Sequence, residues 1–404
     1  MTRFLPALYG AGVALLVALL TVNVPMFDEW TWAPLVLAAH AHRLTAGDLW
    51  AQQQAHRSVV PTLFMLGLAQ VDGWDVRIEA LFNIIIAFAT LVSLAWLFAR
   101  IEPQRRYVAY AMAGLFLFSL LQAENWFWGF QMSWFLVNFF VFRVVGWLTT
   151  RSNTRFILGA LAAAAASLSL IFGFGAWIAG MVMLAGRRRA LILWCAIALA
   201  TSVCFLLGYH APRFENGWAR NASPLEVVQF ILVYLGGPAG AWGGRIAAEI
   251  AGVALIAAFA IWSREAQRRG IDARAWYALA AFVLTAACME AFGRAGNGVD
   301  AATPLRYVTT STLAWIALIG LSAEVASLRW WRVQTVALAL ALAAGSVVGY
   351  FYAYQLTGLQ RDARIAVQNI DRVDDEELSE YTADPQATRA LAQQLRAAHL
   401  GPYR

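Results

Sequence analysis

The stretch NVPMFDEWTWAPLVLAAHAHRLTAGDLWAQQQAHR at residues 23–57, followed by SVVPTLFMLGLAQV at 58–71, decides the fold. It lies between an apolar first segment at 5–22 and another at 78–99. As a helix, 58–71 reaches only ~21 Å, short of the ~30 Å of hydrocarbon that a span must cross. The basic flanks agree. Arg3 precedes the first segment and Arg100, Arg105 and Arg106 follow the third, and basic loops favour the cytoplasmic side. Only one more span fits between them. Residues 23–77 therefore read as one exoplasmic loop, with 58–71 lying along the membrane surface.

The rest of the chain follows the same pattern. Of its 404 residues, 61% are hydrophobic and 13% charged, and apolar runs of spanning length recur from end to end. Backbone groups in lipid must be satisfied internally, and runs this continuous are not alternating barrel strands. The expected fold is an all-α polytopic membrane protein with about eleven transmembrane helices, its long first exoplasmic loop carrying amphipathic juxtamembrane helices. Residues 1–357 form the transmembrane domain, and 358–404 form a short polar exoplasmic tail with acids at Asp371, Asp374, Asp375, Glu376 and Glu377. The first segment has no small-x-small cleavage site and reads as an uncleaved span.

Net charge is +6, and all 30 basic residues are arginine. They cluster in short loops as topology determinants, so no nucleic acid partner is expected. Cys195, Cys204 and Cys288 lie in apolar segments without metal-ligand or disulfide spacing. No nucleotide loop, HExxH, GxSxG or EF-hand string occurs.

Acids, amides, His and Trp collect on the exoplasmic side of this topology. Asp28 and Glu29 stand beside Trp30 at the exit of the first span; they read either as acids at a helix N-terminus or as candidate bases. Glu124, next to Asn125, Trp126, Trp128 and Gln131, sits close to hydrocarbon, where an acid is costly and points to function. Trp126 and Trp128 fit an interfacial aromatic belt at least as well as sugar stacking. Arg57, Arg294 and Arg306 are either snorkelling anchors or planar donors for a phosphate at the lipid surface.

Several motifs carry a resemblance: FDEW at 27–30, LTAGDLW at 44–50, HRSVVPTL at 56–63, GWDVRIEALFN at 73–83, the FGFG turn at 172–175 before GRRR, and Glu124. In this order the chain resembles the C-type (GT-C fold) membrane glycosyltransferases, which take sugars from polyprenyl-phosphate carriers. It departs from them in having a single Pro61 after His56-Arg57 and a short tail. The resemblance implies a multi-pass protein of the bacterial inner membrane, N-terminus cytoplasmic and C-terminus periplasmic. It implies transfer of a sugar from a polyprenyl-phosphate carrier to a lipid or glycan acceptor on the outer face. Asp28 is then the expected base, with Glu124 and Glu29 as the other catalytic candidates. Arg57, His56, Arg294, Arg306 and Tyr307 would hold the donor phosphate, and Trp30, Asn125, Trp128 and Gln131 the sugar or acceptor. Glu124 would alternatively help hold a divalent ion, Mg or Mn. A ligase or polymerase of lipid-linked glycans would use the same face, whereas a flippase needs polar sites at mid-membrane and access from both sides.

Overall fold

The computed structural model describes residues 4–211 and 217–404. Arg3 and part of the expected loop at 210–223 lie outside the described residues. Among those described, the chain is helical and without strands; one isolated bridge joins Gln53 and His56.

After α1 (Leu5–Leu20), residues 23–77 form a 3₁₀ turn at Phe27–Trp32, then α2 (Ala33–His40), α3 (Ala46–Trp50) and α4 (Val59–Asp72). Helix α4 buries Met65, Leu66 and Ala69 and exposes Leu63 and Val71, as a helix lying on a surface does. It stops at Gly73, whose φ of 65° suits the left-handed C-terminal residue of a helix. Asp75 then caps α5 (Val76–Phe98), accepting from the Arg77 amide. The 23 residues of α5 reach ~35 Å, enough to cross.

The bundle continues with α6 (Pro103–Leu117), the short α7 (Ala123–Trp126), α8 (Met132–Leu148), α9 (Asn153–Ser167), α10 (Gly175–Met183) and α11 (Arg188–Leu206). Then come α12 (Pro224–Leu235), α13 (Gly237–Arg268), α14 (Arg274–Arg294), α15 (Val308–Val325) and α16 (Leu328–Gln368). Eight helices among the described residues are long and apolar enough to span a membrane. The other three expected segments are shorter: α1, α9 and α10 have 16, 15 and 9 residues. At the turn between α9 and α10, an added Cβ on Gly173 would stand 1.9 Å from the Ala166 carbonyl oxygen, so the two helices close on each other only with glycine there. The spanning part of α15 is 94% buried and that of α11 only 17%, so α15 is the axis of the bundle and α11 faces lipid.

Helix α16 runs unbroken for 41 residues, ~60 Å, through the expected tail boundary at 357. Its last turns join α17 (Asp375–Leu378) and α18 (Pro385–Ala397) in a second apolar core. There Ala363, Val367, Ile370 and Leu395 of the tail pack with Trp30, Trp32, Val36 and Met65 of the first loop. Too poor in apolar residues to fold alone, the tail uses the loop's apolar surface, and so it lies on the same face as residues 23–77. The contact is fastened by Phe27 N–H donating to Tyr381 O at 2.8 Å and Asn23 Nδ2 donating to Gly401 O at 3.0 Å.

Candidate active site

Between this loop–tail unit and the rim of the bundle lies a cavity of about 780 Å³. Its loop wall carries Asp28, Gln52, Gln53, Gln54 and His56; its bundle wall carries Glu124, Trp128, Gln131, Glu290, Arg294 and Arg306. These side chains come from segments up to about 280 residues apart in sequence, brought to one level because α7, α14 and α15 all end or begin at this face.

On the bundle wall each acid has an arginine. Glu124 accepts from Arg306 twice, from Nη1 at 2.9 Å and from the backbone N–H at 3.1 Å. One turn before the end of α14, Glu290 accepts from Arg294 Nε at 3.0 Å. Neither Nη atom of Arg294 has a protein partner among the described residues, which leaves a planar pair of donors at the cavity. His56 is half-buried, and its Nδ1 accepts from the Ile171 N–H at 3.1 Å. Burial and the nearby Arg294 charge push its pKa down to about 4, so the ring is neutral at pH 7 with its proton on Nε2.

On the loop wall Asp28 is half-buried and lines the cavity; Gln54 Nε2 approaches its Oδ2 at 3.4 Å. On the facing bundle wall Trp128 stacks on Phe130 at 5.4 Å and meets the edge of the loop's Phe27 at 5.7 Å, which sets a flat aromatic surface against the Asp28 turn. Glu29 points the other way. In a 3₁₀ turn successive side chains diverge by ~120°, so Asp28 faces the cavity while Glu29 is 1% exposed behind the wall, accepting from Met26 N–H at 3.2 Å.

Five expectations need correction. Arg57 does not reach the cavity: it is buried, and its Nε, Nη1 and Nη2 donate to the carbonyls of Phe205, Trp50 and Leu207 at 2.8, 2.6 and 2.6 Å. It ties the first loop to the carbonyls that α11 leaves open at its end. Trp30 is buried in the loop–tail core and does not line the cavity. Asn125 is buried beneath the floor, its Nδ2 donating to Arg306 O at 2.9 Å and to Thr309 Oγ1 at 2.6 Å, so it positions the start of α15. Tyr307 lies at the same depth against Tyr234 and Trp134, outside the lining. Trp126 is likewise no belt residue; it is fully buried, stacks on Phe135 at 4.4 Å and donates to Ser119 O.

Glu290 is absent from the candidates drawn from sequence. Its signal was the one that marked Glu124, an acid in an apolar helix, reinforced by an arginine four residues on. No group of three or more His, Cys, Asp or Glu side chains that could hold a metal occurs among the described residues. Glu124 and Glu290 each pair with an arginine.

No protein-family model matches the chain, and neither does any curated protein. Among solved structures it is similar to ArnT from Cupriavidus metallidurans, determined bound to undecaprenyl phosphate. The identity is 15%, the likeness covers 97% of this chain and 77% of that one, and the TM-score is 0.51. At that identity the likeness speaks for the fold: the chain has the GT-C fold that its loop motifs resemble.

Proposed function

We propose that this protein is an integral-membrane glycosyltransferase that takes a sugar from a polyprenyl-phosphate carrier and passes it to a lipid or glycan acceptor. The reaction occurs on the face bearing residues 23–77, the periplasmic face of a bacterial inner membrane. The observation that carries this reading is the convergence of Asp28, Arg294 and Arg306 on one cavity at that face. The fold shared with an undecaprenyl-phosphate-binding protein supports the class of carrier.

The chemistry needs a base for the acceptor hydroxyl and cationic donors for the departing phosphate. Asp28 is the base: its carboxylate takes the proton as the acceptor oxygen attacks the anomeric carbon and the bond from that carbon to the phosphate oxygen breaks. The open Nη pair of Arg294 and the guanidinium of Arg306 meet the negative charge left on the carrier phosphate. Neutral His56 adds an Nε2–H donor. An arriving phosphate competes with Glu124 for Arg306, and the carboxylate it frees orients acceptor or sugar hydroxyls beside Gln131. Trp128 supplies a face for the sugar ring.

The test is transfer from a panel of polyprenyl-phosphate sugars and lipid-linked oligosaccharides by the purified full-length protein. Transfer from at least one donor, lost in Asp28→Asn with the fold intact, is the expected result. An Asp28→Asn variant that transfers normally would sink the assignment.

A further inference from the structure

Behind the aromatic wall of the cavity stand two carboxyl groups that the mechanism above does not use. Glu79, in the first turn of α5, is 1% exposed, as is Glu29. Glu79 Oε2 would stand 3.1 Å from a Cβ added on Gly129 and Glu29 lies beside the amide of the next residue, Phe130, so both acids flank one turn within electrostatic reach of each other. Glu29 Oε1 and both oxygens of Glu79 have no hydrogen-bond partner among the described residues. The indoles of Trp74 and Trp128 lie beside them without reaching hydrogen-bond geometry.

The surrounding charges make this arrangement unstable for two carboxylates. From α4 comes Asp72 and from the N-cap of α5 Asp75, both acids acting on Glu79. Arg77 is paired with Asp75, and Arg404 at the chain end lies beside Asp72, so neither cation compensates the buried pair. Unpaired buried charge is far more costly than a retained proton. A proton retained on either acid would also give the open oxygens a donor.

Backbone packing shows what the pair holds. An added Cβ on Gly129 would stand 2.6 Å from Glu79 Cβ and 2.9 Å from the Val76 carbonyl oxygen. The turn at Gly129–Gln131, flanked by Trp128, therefore rests directly on Glu79. Glu29 sits beside the Phe130 amide and next in sequence to Asp28.

We propose that Glu29 and Glu79 form a proton-sharing pair that fastens the Asp28 turn to the Trp128–Gln131 wall, acting as positioning residues. Only its consequence for transfer rests on the function proposed above; the pair itself is testable without turnover. Burial pushes Glu29 up to about 8 from 4.5. An acid whose folded value is raised keeps its proton while the unfolded chain loses it. Stability is then full below pH 4.5, falls as pH rises toward 8 and is level above.

The experiment is infrared spectroscopy and thermal unfolding of the full-length protein in detergent between pH 5 and 9, with Glu29→Gln, Glu79→Gln and Glu29→Ala. The expected result is a protonated-carboxyl carbonyl band at pH 7 that weakens in either amide variant. The melting midpoint of the unaltered protein should fall by several degrees from pH 5 to 8, with Glu29→Gln flatter and no less stable at pH 8. Glu29→Ala, lacking any side chain to bridge the turns, should melt lower at every pH. A band unchanged by both amide substitutions, or Glu29→Gln melting below the unaltered protein at pH 8 with the same slope, overturns the pair. Should Glu79→Gln fail to fold, Glu29→Gln alone decides by the same two readouts.

Discussion

The two walls of the cavity hold acids under opposite electrostatic conditions. On the bundle wall Glu124 and Glu290 each meet an arginine. On the loop wall Asp28 faces open space and Glu29 is sealed behind it with Glu79 and no cation. The difference sorts the acids by role. A carboxylate locked to arginine is a poor base but a good reservoir of cationic donors, because an incoming phosphate can replace it. A carboxylate without a cation partner, like Asp28, is available to accept a proton.

Breaking the comparison at Asp28 should have the largest effect. Asp28→Asn should lower transfer by roughly 10²–10⁴-fold, the range for removing a general base, with the melting temperature unchanged. Next is Arg57→Ala, which strips three carbonyls of a charged donor and should cost about 3 kcal/mol of stability while leaving the donor KM unchanged. Denaturation in detergent measures the first quantity, and donor titration the second. A raised KM without loss of stability would return Arg57 to the phosphate site.

The contrast between paired and unpaired acids sharpens in the amide variants. Glu124→Gln should destabilise by about 2 kcal/mol, reduced from the value for a fully buried pair because Arg306 is 31% exposed. Glu29→Gln at pH 7.5 should not destabilise at all. Equal losses in the two variants would erase the distinction between the walls. Gly129→Ala should cost about 1–3 kcal/mol by overpacking against Glu79, read from the same unfolding curves.

The membrane fold was legible because hydropathy and arginine placement act locally, over the ~20 residues of one span. The reading of 58–71 as too short to span rested on its length and the flanking arginines, and the chain forms there a 14-residue helix, Val59–Asp72. Asp28, Glu124, Arg294, Arg306 and His56 were legible as polar residues at the ends of apolar segments, and all five line the cavity. Arg57 was misread because its partners, the carbonyls of Phe205 and Leu207, are about 150 residues away and belong to backbone. Glu29 and Asp28 look equivalent in FDEW; only the 3₁₀ turn separates them. The polar tail hid its role because half of its core is supplied by the first loop, a pairing without local trace in either segment.

Binding of undecaprenyl phosphate to the purified protein, followed by native mass spectrometry, tests the central claim most directly. The unaltered protein should retain one carrier molecule. Arg294→Gln combined with Arg306→Gln should weaken binding by at least about tenfold, since two charge-assisted contacts are lost, whereas Asp28→Asn should bind normally. Undiminished binding in the double arginine variant would contradict a phosphate site in this cavity.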